Sequence, residues 1–150
     1  MRIYLDTSVF GGYFEVEFSK ESVRVIEAIR RGRATVVLGE LVDLELRKAP
    51  QEVRDLLKSL PPEHVEEVQF GREAQELRDA YLEAGILTPN SRTDAGHVAT
   101  ATVHRADAIV SWNFKHIVQL EKMKLYNQIN LKNGYGFLEI VSPKEVLSDE

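Results

Sequence analysis

The chain has 150 residues, of which 43% are hydrophobic and 29% charged, and it contains no cysteine. A chain of this length can bury roughly 70% of its unfolded surface, and the lack of cysteine excludes disulfides and thiolate metal sites. Its net charge of −5 argues against non-specific nucleic-acid binding through a broad basic surface, but not against a nuclease whose carboxylates surround a divalent metal.

No stretch approaches the roughly 18 apolar residues that a membrane span requires, and the opening residues lack the apolar region of a signal peptide. We therefore expect a soluble, cytoplasmic protein with one domain over residues 1–150 and no membrane partner.

Strand-like and helix-like segments alternate along the chain, which is typical of an α/β domain with a mainly parallel sheet. The predicted strands cover residues 2–5, 35–38, 64–70, 106–112 and 136–142. The predicted helices cover residues 20–31, 40–48, 51–59 and 72–84, then one from Thr93 or Asp94, one from about His116 into the 120s, and a short one capped by Ser142 and Glu145. Gly and Pro residues at 32, 50, 61, 62 and 85 mark their ends.

Asp6 is the first unusual residue, because it directly follows Ile3, Tyr4 and Leu5, an apolar run typical of a strand buried on both faces. A carboxylate at such a place is costly unless it is paired. Ligands of open parallel sheets bind outside the carboxyl ends of the strands, where Asp6 falls. Taken alone, however, Asp6 is more simply interpreted as a helix cap.

Glu45 and Asp94 become candidate site residues when they are considered together with Asp6. A helical projection of residues 40–48 places Glu45 near the middle of the apolar face and the pair Asp43 and Arg47 opposite to it. Glu45 is then either a helix-end residue that reaches solvent or part of a polar cleft. Asp94 alone would be an ordinary first-turn acid. Three acids at one cleft would repel one another unless a hard cation such as Mg²⁺ offset their charge.

Three segments, in this order, resemble the PIN-domain ribonucleases, the family that includes VapC-type toxins of toxin–antitoxin systems. They are "IYLDTSVFGGYF", "LVDLELRKAP" with Glu45, and "DAGHVATATVHRADAIVSWNFKHI". The resemblance covers nearly the whole chain. It implies a three-layer α/β/α fold whose mainly parallel five-stranded sheet has the order 3-2-1-4-5.

The same resemblance implies a function. Asp6, Glu45 and Asp94 match the three acids of the family motif, which would hold Mg²⁺ or Mn²⁺ for hydrolysis of an RNA phosphodiester. It also implies an antitoxin protein as partner and a homodimer.

The sequence departs from the family after the fourth strand, where a fourth acid is usual and "SWNFKHI" offers Asn113. Asparagine can ligate through its carbonyl oxygen or orient a water, but it adds no charge, so we expect one tight ion and weaker binding of a second. Lys115 and His116 could contact phosphate at the cleft rim or be plain surface residues. For His97, a hydrogen-bonded structural role is favoured over metal ligation.

The main alternative is a PIN-fold protein that has lost activity and serves as an RNA- or protein-binding module. Asn113 favours that reading, and the presence of all three acids opposes it. A phosphoaspartyl hydrolase usually needs a second Asp two residues after the first, where this chain has Ser8.

Overall fold

The computed structural model describes residues 1–146. Its strands are β1 (Arg2–Leu5), β2 (Thr35–Gly39), β3 (Val65–Val68), β4 (Ala108–Val110) and β5 (Glu139–Val141). Its α-helices are α1 (Thr7–Gly12), α2 (Ser19–Arg30), α3 (Glu40–Leu46), α4 (Gln51–Lys58), α5 (Arg72–Glu83), α6 (Arg92–Val103), α7 (Leu120–Lys132) and α8 (Pro143–Val146). None of these helices is long and apolar enough to cross a bilayer.

All five strands pair in parallel, in the order β3-β2-β1-β4-β5. The predicted α/β fold and strand order are therefore confirmed. The central strand β1 is buried on both faces, because Ile3, Tyr4 and Leu5 are all inaccessible and successive side chains point to opposite sides of a sheet. Helices must cover both faces, which is why the strand reads as an unbroken apolar run.

Helix α6 approaches helix α3 at Gly96. A Cβ atom at this position would lie 2.6 Å from Cδ1 of Leu41, in helix α3. Glycine therefore removes a steric conflict between the two helices, at the usual cost of about 1 kcal/mol in helix propensity relative to alanine. This contact brings together α3, which carries Glu45, and α6, which carries Asp94.

Two sequence predictions about local structure are wrong. The helix predicted from His116 begins only at Leu120, because residues 113–118 form a turn organised by the Asn113 side chain and Gln119 then caps α7. The helical projection of residues 40–48 places Leu44 on the apolar side of α3, but the structure exposes it. The buried face is narrow and centred on Val42 and Leu46, from which Leu44 points away. Helix α1 was not among the predicted elements.

Arg105 ends α6 in a left-handed conformation, with φ = 56°. The amides of Arg105 and Ala106 bond back to the carbonyls of Thr102 and Ala101, the pattern that usually has glycine at the left-handed position. We expect Arg105→Gly to raise the free energy of unfolding by about 0.5–1 kcal/mol, since it relieves backbone strain. Urea denaturation would measure this gain. Arg105→Ala should show no gain, and equal gains in both variants would contradict the explanation.

Candidate metal centre

Neighbouring parallel strands end at one edge of the sheet. There the structure brings Asp6 and Glu45 together with His97, and Asp94 lies near enough to Asp6 for that charge to raise its pKa. Asp6 directly follows β1, Glu45 lies on the helix that follows β2, and Asp94 lies in the first turn of α6. Asn113 lies in the loop after β4, which pairs with β1. Strand β1 is thus flanked on both sides by strands whose following segments supply polar side chains to the same place.

Asp6 is only 6% exposed, and its buried carboxylate is paired with hydroxyl groups. Its Oδ2 atom accepts hydrogen bonds from Ser111 Oγ at 2.6 Å and from Ser8 Oγ at 2.9 Å. Although Asp6 occupies the position before α1, its side chain makes no capping hydrogen bond. The interpretation of this carboxylate as a helix cap is therefore wrong. The serines hold one oxygen, and the other, Oδ1, lies 3.6 Å from Nε2 of His97.

Glu45 lies at the edge of the buried face of α3, with its side chain 41% exposed. Its Oε1 atom is 2.7 Å from Nε2 of His97 and also accepts a 2.7 Å hydrogen bond from Thr7 Oγ1. Burial by itself would raise the pKa of Glu45, but the hydrogen bonds with His97 and Thr7 lower it below its ordinary value. Glu45 is therefore held as an ionised carboxylate.

The pKa of Asp94 is shifted in the opposite direction from that of Glu45. Burial raises its pKa above the ordinary value, and the nearby charge of Asp6 raises it further. The charges of His97 and His116 and a hydrogen bond with Asn113 only partly offset this. Asp94 is thus close enough to Asp6 to be destabilised by it, which is the repulsion expected of acids crowded around one cleft.

His97 links this cluster to the core. It is 1% exposed, and its Nδ1 atom lies 2.7 Å from the hydroxyl of Tyr4, which is fully buried in β1. Burial lowers the pKa of His97, but its hydrogen bond with Glu45 and the charges of the surrounding acids more than compensate, so the net shift is upward. The predicted hydrogen-bonded role of His97 agrees with these contacts.

Among residues 1–146, Asp6, Glu45 and His97 each offer a ligand atom, and these atoms lie within 4.8 Å of one another. The donor chemistry fits a hard divalent cation, because the carboxylates supply the oxygen ligands that Mg²⁺ and Mn²⁺ prefer. The charge of Asp6 adds to the effect of burial in raising the pKa of Asp94, and a bound cation would offset that repulsion.

Asn113 is already engaged through the atom expected to ligate a metal. Its Oδ1 accepts hydrogen bonds from the backbone amides of His116 and Lys115, at 2.9 and 3.2 Å. A role for Asn113 is therefore better sought in its contact with Asp94. Lys115 is exposed, while His116 is half-buried with an Nδ1 atom that has no hydrogen-bond partner among residues 1–146.

Sequence reasoning missed the residues that support the acids. The sequence gives Thr7 and Ser8 no site role, and it places Ser111 and Tyr4 only within predicted strands. The sequence did carry one weak signal for His97. It lies one helical turn after Asp94 and so shares the same face of α6. No local pattern relates Tyr4 to His97, because the two are 93 residues apart in the chain.

No family model matches the chain, and no curated protein matches it in sequence. Solved structures do match. VapBC2 from Rickettsia felis, bound to a DNA fragment from its promoter, has 17% identity and a TM-score of 0.57, and the match covers 95% of this chain and 98% of that one. The likeness lies in the fold.

Two further matches give the same result. FitAcB from Neisseria gonorrhoeae has 14% identity and a TM-score of 0.60, with coverage of 95% of this chain and 99% of that chain. A structure of FitAB bound to an IR36 DNA fragment has 13% identity and a TM-score of 0.60, with 94% of each chain covered. The matched chains thus share the fold and have nearly the same extent as this one.

Proposed function

We propose that this protein is a metal-dependent endoribonuclease and the toxin component of a type II toxin–antitoxin system. The observation that carries the proposal is the cluster of Asp6, Glu45 and His97, from distant parts of the chain, at the carboxyl end of the central strand, with the charge of Asp6 also acting on Asp94. The fold likeness to chains of the VapBC2 and FitAB complexes supports the toxin assignment. An antitoxin, a homodimer and a cytoplasmic location belong to the same proposal.

In this proposal Asp6, Glu45 and Asp94 hold Mg²⁺ or Mn²⁺. A divalent ion held there would stabilise the charge of an RNA phosphodiester and lower the pKa of an attacking water. The chain's own residues orient the ligands: Ser8 and Ser111 fix one oxygen of Asp6.

Two other side chains complete the alignment of the acids. Thr7 donates to Glu45, and Asn113 hydrogen-bonds Asp94. Each acid thus has its own partner in the protein, which leaves its remaining lone pairs available to a cation.

Cleavage of a labelled RNA in Mg²⁺ or Mn²⁺, compared with cleavage in the presence of a chelator, tests the proposal. Glu45→Gln should lower the metal-dependent rate by at least about 100-fold, or about 2.7 kcal/mol in transition-state stabilisation. Asp43→Asn is the matched control, because Asp43 lies on the same helix but pairs with Arg47 at 2.9 Å outside the cluster. Its activity should equal that of the wild type.

If wild type, Glu45→Gln and Asp43→Asn were equally inert on RNA with either metal, the nuclease proposal would be wrong. The chain would then be better described as a PIN-fold binding module. The engaged Oδ1 of Asn113, at the position where the resembled family has a fourth acid, favours that second reading.

Substrate binding is assigned to the rim of the cleft, where Lys115 and His116 follow Asn113. Lys115→Ala should raise KM and leave kcat nearly unchanged, because an exposed lysine contacts phosphate equally in ground and transition states. The slope of log affinity against log salt should fall by about 0.7 for one lost contact with single-stranded RNA. Lys132→Ala, at the exposed end of α7, is the control and should change neither quantity.

A further inference from the structure

A chain of buried polar contacts runs from the core of the sheet to the acid cluster. The Tyr4 hydroxyl lies 2.7 Å from His97 Nδ1, and His97 Nε2 lies 2.7 Å from Glu45 Oε1 and 3.6 Å from Asp6 Oδ1. Tyr4 and His97 are both almost completely buried. The imidazole is thus fixed at both nitrogens and faces two acids at once.

The direction of the hydrogen bond between His97 and Glu45 follows from which of the two groups can donate. An ionised carboxylate only accepts hydrogen bonds, so the contact with Glu45 requires a hydrogen on Nε2 of His97. This holds whether the imidazole is neutral, with Tyr4 donating to Nδ1, or charged. A nitrogen that carries hydrogen has no lone pair for a metal, although its distance alone would allow ligation.

The absence of a side chain at Gly39 leaves space for the Tyr4 ring, which contacts His97. A Cβ atom on Gly39, the last residue of β2, would lie 2.5 Å from the Tyr4 hydroxyl and 2.6 Å from Cε2 of its ring. The backbone of Gly39, with φ = −76° and ψ = 149°, suits any residue. Glycine is therefore required here for room, and the room is taken by the ring that fixes His97.

We propose that His97 is a positioning residue that donates through Nε2 to orient Glu45, with Asp6 facing the same nitrogen at 3.6 Å, and that it does not bind the metal itself. This inference rests on the proposed function. It makes the ligand set entirely oxygen, which favours Mg²⁺ and Mn²⁺ over metals that prefer nitrogen ligands. Tyr4 acts one step further away, since it fixes the orientation of the imidazole.

The first measurement is pulsed EPR of the full chain loaded with Mn²⁺. We expect no nitrogen bonded directly to Mn²⁺ in the wild type. A directly bonded nitrogen that disappears in His97→Leu would make His97 a ligand and overturn the inference.

The second measurement is Mn²⁺ affinity by calorimetry in four variants. His97→Leu should bind about 10–100-fold more weakly, the usual cost of losing a group that orients a ligand. His97→Gln should recover most of the affinity, because its amide can donate to Glu45, and Tyr4→Phe should weaken binding in the same direction as His97→Leu. Tyr81→Phe is the control, since Tyr81 is equally buried and its hydroxyl bonds Asn130 on α7.

Tyr81→Phe should lower the melting temperature without changing Mn²⁺ affinity, which separates lost stability from lost positioning. Unchanged affinity in both His97→Leu and Tyr4→Phe would overturn the inference while leaving the proposed function intact. A wild-type protein that binds no Mn²⁺ would instead contradict the proposed function itself, and this inference with it. Should His97→Leu fail to fold, His97→Gln and Tyr4→Phe still give the comparison.

Discussion

Asp6→Asn is expected to abolish metal-dependent RNA cleavage while leaving the fold intact. Asparagine has nearly the same shape, and its carbonyl oxygen can still accept a hydrogen bond from Ser111 or Ser8. The substitution removes one negative charge from the centre of the cluster, where Asp6 lies close to His97 and raises the pKa of Asp94. We expect activity and Mn²⁺ affinity to fall by more than about 100-fold, beyond the usual range for residues that only orient a ligand.

The melting temperature of Asp6→Asn should equal or exceed that of the wild type, because repulsion between Asp6 and Asp94 is relieved. Asp107→Asn is the control: Asp107 precedes β4 at the other end of the sheet and accepts a hydrogen bond from the amide of Arg2. Its activity should be unchanged. Full activity in Asp6→Asn would show that Asp6 is not part of the metal centre. A large loss of stability would mean that the lost activity reports unfolding and not lost metal binding.

Gly39→Ala is expected to cause the largest loss of stability of the substitutions considered. The added methyl group would meet the hydroxyl, Cε2 and Cζ atoms of Tyr4 at 2.5, 2.6 and 2.9 Å. The ring is fully buried and cannot move away without disturbing the packing around β1. Overpacking of this kind costs about 1–3 kcal/mol, and displacement of the hydroxyl from His97 adds about 1 kcal/mol for the lost hydrogen bond.

Chemical denaturation of Gly39→Ala and Gly136→Ala would measure this cost. In the described part of the chain, no atom lies within 4 Å of a Cβ built on Gly136, so its substitution should be nearly neutral. Gly39→Ala should also bind Mn²⁺ more weakly, since Tyr4 no longer fixes His97. A Gly39→Ala protein as stable as the wild type would show that the Tyr4 ring is free to shift and is not held by the packing around β1.

The sheet was predictable because each strand carries a local signal. An apolar run such as residues 3–5 identifies a strand buried on both faces, and alternation with helices favours parallel pairing. The bounds of β1 and the helix ends near Gly32 and Gly85 follow from the same local chemistry. Helix α1 lacks such a signal, since Gly11 and Gly12 lower its helix propensity and its packing between neighbours supplies the stability.

The acids could be selected from the sequence only as residues out of place. Asp6 was identified by its position after an apolar strand, and the structure supplies what the sequence lacked, namely the serine hydroxyls that pair with it. Glu45 was identified by projecting a helix whose buried face proved narrower than expected. The link from Tyr4 to His97 was beyond prediction, because it depends on a contact between β1 and α6 across 93 residues.

Calorimetric titration of Mn²⁺ into the wild-type chain, without RNA, tests the central claim most directly. The claim is that Asp6, Glu45 and Asp94 form one cation site, in which an added positive charge offsets their mutual repulsion. We predict one tightly bound ion per chain, with any second ion much weaker because Asn113 adds no charge. The absence of saturable Mn²⁺ binding in a folded protein would contradict the claim.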